Sequence, residues 1–316
     1  MNESGAASGR ANARAALLGN PSDGYGGKVI AFAFAEFEAR VSVRQGSGIE
    51  APEGAAALIG AALKRFARRR GARLPSLAVR CSTTIPREVG LGGSSAIVIA
   101  TLRALCELLG EEIPDHELPS LALACETEEL GIAAGLQDRV AQTYGGLVYM
   151  DLAPELLARH GHGHYEGLDP GSPPPLFVAW REDARQPSGA AHAEVRRRFA
   201  AGEPEVVAVM TEIAALAERG RAALAAGDRE ELGCLLTRNF ELRRSLFELD
   251  PRHVRLVELA RELGAPANYA GSGGAIVGLV PKEVDRGHLE EAFWAEGCSA
   301  IEPTPTTPEW AQRSSD

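Results

Sequence analysis

The stretch Pro86-Arg87-Glu88-Val89-Gly90-Leu91-Gly92-Gly93-Ser94-Ser95-Ala96 constrains this chain more than any other. It lies between a segment that reads as a strand, Leu74 to Thr84, and one with helical periodicity, Ile97 to Leu109, where Val98, Leu102, Leu105 and Leu109 share a face. Glycine has no Cβ, so such a turn lets a ligand approach the backbone and tolerates positive φ. The first N–H groups of the helix that follows have no intrahelical partner and carry partial positive charge. A Gly-rich turn feeding a helix start is therefore an anion site, most often for phosphate. The same residues also read as a plain turn with a serine N-cap. Ser94 and Ser95 can cap the helix, bind a phosphate oxygen or ligate Mg²⁺. Three known patterns fail on spacing. No Lys follows Gly93 as a Walker loop requires, Ser95 stands where the dinucleotide fingerprint needs glycine, and Ile97 stands where a nucleophile elbow needs its last glycine.

The chain has 316 residues, 45% of them hydrophobic and 24% charged, enough for one large globular domain or two smaller ones. Its formal net charge of −10 argues against nucleic acid or an anionic membrane as partner. An anionic substrate would need a local basic patch against that field. No apolar run is long enough to span a bilayer, and residues 1–10 lack the pattern of a signal peptide. Cys81, Cys106, Cys125, Cys234 and Cys298 are scattered, odd in number and without a Cys-x-x-Cys spacing. Reduced thiols in a cytoplasmic protein are the expectation.

Residues 1–10 and 303–316 read as flexible tails, rich in small residues at one end and in Pro, Thr and Ser at the other. After Ala11 to Leu18 comes the loop Gly19-Asn20-Pro21-Ser22-Asp23-Gly24-Tyr25-Gly26-Gly27-Lys28, able to hydrogen-bond a polyol and equally readable as a solvated hairpin. Val29 to Phe37 and Val41 to Arg44 read as two strands, and Ala55 to Arg70 as a helix with a solvated basic end, Lys64, Arg65, Arg68, Arg69 and Arg70. Leu118 to Leu130 is an amphipathic helix with Glu126, Glu128 and Glu129, the last two expected in solvent. A small-residue turn from Gly131 through Gly135 then leads to Asp138, which opens a helix and could simply cap it. Ala153 to Pro175 is a long connection whose His160, His162 and His164 lack the further ligands of a metal set and read as surface loop. Beyond strand Leu176 to Trp180, Ser188-Gly189 precedes a basic helix start at Arg196, Arg197 and Arg198. Helices Glu205 to Ala226, Arg229 to Phe247 and Arg252 to Leu263 lead to a second glycine-rich turn, Asn268 to Ala275, a strand and a last helix.

Three motifs in this order resemble the GHMP kinase superfamily. Pro86 to Ala96 matches its phosphate loop, with Gly93 where many members have Ser. Arg14, Leu17, Gly19, Ser22 and Asp23 are similar to its sugar-kinase opening loop, with Asn20-Pro21 in place of the Glu-His of galactokinases. Ala270 to Ala275 is similar to its C-terminal glycine motif. Within the superfamily, Leu18 to Gly27, Gly90 to Ala96, Gly135 to Asp151 and Ser188 to Arg198 resemble the glucuronokinases, sugar kinases of plant uronate salvage. The resemblance spans residues 11–280.

It implies an α+β two-domain GHMP kinase fold. An N-terminal α/β domain (11–175) and a C-terminal ferredoxin-like domain (176–302) would enclose the active site in the cleft between them. It implies a kinase using ATP and Mg²⁺ on the anomeric hydroxyl of a sugar, D-glucuronate first. Galacturonate, arabinose, a heptose, an inositol or a natural-product sugar are alternatives, as is a non-catalytic sensor on the same fold. Gly90, Leu91, Gly92, Gly93, Ser94, Ser95 and Ala96 would bind the ATP phosphates, and Ser95 and Glu126 the metal. Asp138 would accept or orient the acceptor hydroxyl, and Arg14 would lower its pKa or offset transition-state charge. Asn20, Ser22, Asp23, Tyr25, Lys28, Gly135, Arg139, Gly271 and Gly273 would line the acceptor site. A uronate carboxylate calls for a cation, with Arg139, Arg196, Arg197, Arg198 and Lys28 as candidates. A monomer and a homodimer are both compatible with the sequence.

Overall fold

Burial along β1 (Ala7–Leu18) alternates as far as Asn12 and is then continuous, the pattern of a strand covered first on one face and then on both. The computed structural model describes residues 5–183, 190–284 and 286–308; Ser188 and Gly189 fall outside them. β1 pairs antiparallel with β2 (Lys28–Gln45). There follow β3 (Gly48–Glu50), α1 (Ala55–Arg70), β4 (Leu77–Thr83), α2 (Gly93–Leu109), α3 (Leu118–Thr127), α4 (Gln137–Tyr144), β5 (Leu147–Asp151), α5 (Pro154–His160) and β6 (His164–Leu168). The first sheet runs β3-β4-β2-β5-β6, with β1 also on β2. α2 crosses β1 so closely that a Cβ at Gly9 would lie 2.1 Å from the Ala100 carbonyl oxygen.

The second unit comprises β7 (Leu176–Trp180), α6 (Ala190–Ala200), α7 (Pro204–Ala226), α8 (Arg229–Leu246), α9 (Pro251–Glu262), β8 (Ala267–Tyr269), β9 (Ala275–Leu279), α10 (Arg286–Ala295) and β10 (Ser299–Ile301). Its sheet is ordered β10-β7-β9-β8 with every neighbour antiparallel, so its first strand lies between its fourth and third. That is the ferredoxin-like order. One hydrophobic cluster runs from β1, β2 and α2 into α7, α8, β7 and β9, and the Phe37 and Trp180 rings meet edge-on at 5.5 Å. Among the described residues no helix is long and apolar enough to cross a membrane.

Five expectations are corrected. The two strands read between Val29 and Arg44 are one, β2, because β1 supports it on both sides of an irregularity where Asn12 faces Glu38 and Ala13 faces Phe34. The first tail is shorter than residues 1–10, since β1 begins at Ala7; small residues there fit beneath α2. The second tail does not start at 303. Ala35 N–H donates to Thr304 O at 2.9 Å and Thr306 N–H to Ala33 O at 2.9 Å, satisfying groups on the β2 edge away from β1, between the end of its β5 pairing at Phe32 and the start of its β4 pairing at Ala39. The connection 153–175 contains α5 and β6, with His160 closing one and His164 opening the other. The basic end of α1 and Glu129 are not separately solvated. Glu129 is ringed by Lys64, Arg65 and Arg68, while Arg69 reaches Glu117 at 3.2 Å and Arg70 reaches Glu111 at 2.5 Å.

Candidate active site

Two glycine turns from opposite units touch backbone to backbone. Gly90 and Gly92 have φ of 79° and 77°, the left-handed region that glycine adopts without strain. A Cβ on Gly90 would lie 2.6 Å from Gly273 O, and one on Gly271 would lie 2.2 Å from Gly90 O. Side chains at these positions would push the turns apart. α2 starts at Gly93 behind its N-cap, Gly92, and Ala96 N–H makes the first helical bond, to Gly92 O at 3.1 Å. The N–H groups of Gly93, Ser94 and Ser95 are thus the ones that the helix itself does not use. Leu91 and Ala96 are buried and anchor the two sides of the turn. Ser94 is exposed, whereas Ser95 is buried and donates its hydroxyl to Gly92 O at 3.1 Å. Gln142 Nε2 donates to the same oxygen at 2.8 Å.

Arg14 joins the turns. It sits in the fully buried half of β1, 3% exposed. Its Nε donates to Asp138 Oδ1 at 2.8 Å, and its Nη1 donates to Gly90 O and to Ala270 O, each at 2.7 Å. Gly271 leaves room for this guanidinium, since a Cβ there would come within 3.0 Å of both Nη atoms. Asp138 lies in the first turn of α4, yet Leu136 is the N-cap and no side chain caps the helix. The capping role is therefore excluded. Burial pushes the Asp138 pKa up, but Arg14 and then Arg139 outweigh it and hold the carboxyl below its ordinary value.

Arg139 does not face the acceptor site as a free cation. It is buried, binds Glu126 Oε2, donates to Gly135 O at 2.8 Å and lies 3.6 Å from Asp138 Oδ2. One position after Asp138 on a helix, it points toward α3 instead. Glu126 is fully buried on α3, and its Oε1 has no hydrogen-bond partner among the described residues.

The opening loop folds as a 3₁₀ turn, Ser22–Tyr25. Gly135 places its backbone against Asp23: a Cβ there would lie 2.0 Å from Asp23 Oδ2. Burial, and next the charge of Asp138, raise the Asp23 pKa to about 6, against the lowering effect of the Gln137 backbone, Arg14 and Arg139. Ser22 is not free for substrate, because its hydroxyl ties the loop to Lys28 O at 3.0 Å. Lys28 is committed as well, to Glu218 at 2.8 Å and Asp151 at 3.7 Å. Asn20 is a brace: its side chain accepts from Arg243 and its carbonyl accepts from Asn239 Nδ2 at 2.8 Å.

Arg243 was not among the expected site residues. Fully buried on α8, it donates to Asn20 Oδ1, to Gly271 O at 2.9 Å and to Ser272 O at 3.1 Å, joining the opening loop to the second glycine turn. Its ring neighbours are Tyr269 at 5.0 Å and Phe247 at 5.5 Å. Burial lowers its pKa to about 10, so it stays cationic at neutral pH. The available signal was the pair Asn239 and Arg243, one helical turn apart among Leu235, Leu236, Leu242 and Leu246, all buried on α8.

Residues 57–146 match the family model "GHMP kinases N terminal domain" and residues 221–299 match "GHMP kinases C terminal". The chain is 36% identical to a probable glucuronokinase 2 of Arabidopsis thaliana, across 95% of this chain and 91% of that one. It is 34% identical to glucuronokinase 1 of the same plant, across 95% and 92%. Its fold is similar to that of Lactococcus lactis galactokinase complexed with galactose, with a TM-score of 0.78 at 15% identity over 95% of each chain.

Proposed function

The chain belongs to the GHMP kinase family, and from that premise we propose that it transfers the γ-phosphoryl group of ATP to the anomeric hydroxyl of a uronate, D-glucuronate first. The observation that carries this reading is Arg14, one guanidinium bound at once to Asp138, Gly90 O and Ala270 O. It sets a carboxylate beside a phosphate-type turn at the meeting of the two units. The acceptor identity comes from the glucuronokinase relatives. A sensor without catalysis has no use for this pairing.

The ATP phosphates would lie on the backbone of Gly90 to Ser95, where free N–H groups and the α2 dipole favour negative charge. Phosphoryl transfer passes through a loose transition state with little bond formation to the attacking oxygen. The proton of the acceptor hydroxyl is therefore lost late, and a strong base is not required. A carboxylate kept ionised by Arg14 can accept that hydrogen bond and align the oxygen for in-line attack. Asp23 would bind neighbouring hydroxyls through its two oxygens.

Magnesium is the metal we propose for this site, and two features support it. Glu126 Oε1 is buried and unpartnered, an oxygen that calls for a cation. Ser95 donates to Gly92 O and keeps its lone pairs. One carboxylate, one hydroxyl and substrate phosphates are a customary donor set for Mg²⁺. Glu126 and Ser95 would hold the ion, whose chemistry is to neutralise charge on the phosphates. We place the domain division between β6 and β7.

The test is incubation of the protein with ATP, Mg²⁺ and a panel of uronates and neutral aldoses, with products read by phosphorus NMR. Glucuronate 1-phosphate is the expected product. An absence of sugar-dependent ADP release across the whole panel would sink the reading.

A further inference from the structure

We infer that Arg196 on α6, acting with the Tyr25 hydroxyl, receives the carboxylate of the uronate and makes this the end of the site that sets acceptor specificity. The inference rests on the uronate reading above. Five cations were candidates, and the structure spends four of them elsewhere. Arg139 is bound to Glu126 and Gly135 O, and Lys28 to Glu218 and Asp151. Arg197 is paired with Glu194 at 2.6 Å, and Arg198 is forked onto Glu203. Arg196 makes no ion pair among the described residues, although its two neighbours in sequence do.

Helix geometry says where Arg196 looks. Residues three apart share a helix face. Three positions on, Phe199 sets its ring edge-on against Tyr25 at 4.9 Å. α6 thus docks on the 3₁₀ turn through the face that carries Arg196, and the Tyr25 hydroxyl is buried with no hydrogen-bond partner among the described residues; burial raises its pKa and the nearby Arg196 charge opposes that rise. The turn orders the site from end to end. Asp23 senses Asp138, Arg14 and Arg139 on one side, and two residues later Tyr25 senses Arg196 and Arg243 on the other. A pyranose uronate carries its anomeric hydroxyl and its C5 carboxylate on opposite sides of the ring oxygen. With the first at Asp138, the second points to Tyr25 and Arg196.

Charge accounting agrees. Lys and Arg number 33 against 43 Asp and Glu, so arginines without an acidic partner are not an overall surplus. Yet Arg243 too, fully buried, binds only neutral oxygens: Asn20 Oδ1, Gly271 O and Ser272 O. A buried cation without a counter-ion is unfavourable until an anion arrives. The missing negative charge is the one that a uronate brings and a neutral sugar does not.

Steady-state kinetics of the Arg196→Ala, Arg196→Lys and Tyr25→Phe variants, with glucuronate and with glucose as its neutral counterpart, provide the test. Arg196→Ala should raise KM for glucuronate by about 10- to 100-fold, the loss of one or two charge-assisted hydrogen bonds. KM for ATP should stay within 2-fold, and the preference for glucuronate over glucose should fall by the same factor. Arg196→Lys should recover part of the loss, keeping the charge without the fork. Tyr25→Phe should show a smaller increase of the same kind. A wild-type enzyme that phosphorylates neutral sugars and no uronate overturns the acceptor reading itself. A wild-type enzyme that takes glucuronate, with Arg196→Ala unchanged within 2-fold for it, overturns this inference alone.

Discussion

Arg14, Asp138, Arg139 and Glu126 form a run in which each charge touches an opposite one, whereas Arg196 and Arg243, around Tyr25, form no ion pair among the described residues. The paired run is rigid by construction. Arg14, Glu126 and Arg139 are buried and Asp138 is partly buried; the four come from β1, α3 and α4, and the two arginines also hydrogen-bond backbone carbonyls. Such a network suits chemistry that has to be aligned before substrate arrives. The unpaired end has the opposite design on the inference drawn above, with its charge complementary to a ligand and not to the protein. On the function proposed above, catalysis belongs to the first region and discrimination to the second, and each can be broken without the other.

The largest effect should come from the paired end. Asp138→Ala should lower kcat by about 10³-fold, within the usual range for a positioned acid–base group, with KM for ATP little changed. A loss under 10-fold would move the hydroxyl-orienting role to another residue. Glu126→Gln keeps a hydrogen-bonding partner for Arg139 but removes a carboxylate oxygen. It should raise the Mg²⁺ concentration for half-activation by about 10- to 100-fold, and weaken Mn²⁺ binding measured by electron paramagnetic resonance equally. Unaltered Mn²⁺ binding would count against Glu126 as a metal ligand.

Effects on the acceptor end should be smaller and of a different kind. Arg243→Met removes donors to Asn20 Oδ1, Gly271 O and Ser272 O and leaves two buried acceptors and one half-buried one. It should cost about 2–3 kcal/mol of stability, read by chemical denaturation. It should also raise KM for the acceptor, since it holds the loop that carries Asp23.

Asp23 supplies the subtlest test. Its folded pKa, about 6, lies above the ordinary value of 3.8. An acid whose pKa is raised by folding penalises the fold when ionised. The penalty is fully present above pH 6 and disappears as pH falls toward 4. Asp23→Asn should therefore stabilise the protein at pH 7.5, by roughly 1–3 kcal/mol, and by little near pH 4. The same variant should bind acceptor poorly, which separates stability from function. Equal stabilisation at both pH values would contradict a raised pKa. In the wild type, acceptor KM should rise as pH drops through 6, where Asp23 takes up a proton and loses acceptor capacity.

Much of the fold was legible because it is locally encoded. The range Ala55 to Arg70 coincides with α1, and the strands at Leu147 and Leu176 begin where apolar runs meet turn residues. Two regions were misread for one reason. The middle of β2 and the residues after 302 complete each other's hydrogen bonds, Ala35 to Thr304 and Thr306 to Ala33, and neither shows in a local window. Likewise Ser22, Lys28 and Arg139 have residue types suited to sugar binding, but partners elsewhere in the chain claim them.

The sequence by itself determined the two glycine turns and the serines at a helix start. These depend on backbone freedom, helix polarity and short-range pattern, which neighbouring residues specify. Only the tertiary structure decided which of the basic residues are already paired, that Arg243 bridges the opening loop and the second glycine turn, and that burial raises the Asp23 pKa to about 6. Those properties depend on what lies within a few ångströms after folding. Arg14 meets Asp138 across 124 positions, and Arg243 meets Asn20 across 223. Charge pairing and desolvation are set by that three-dimensional neighbourhood, which local sequence does not carry.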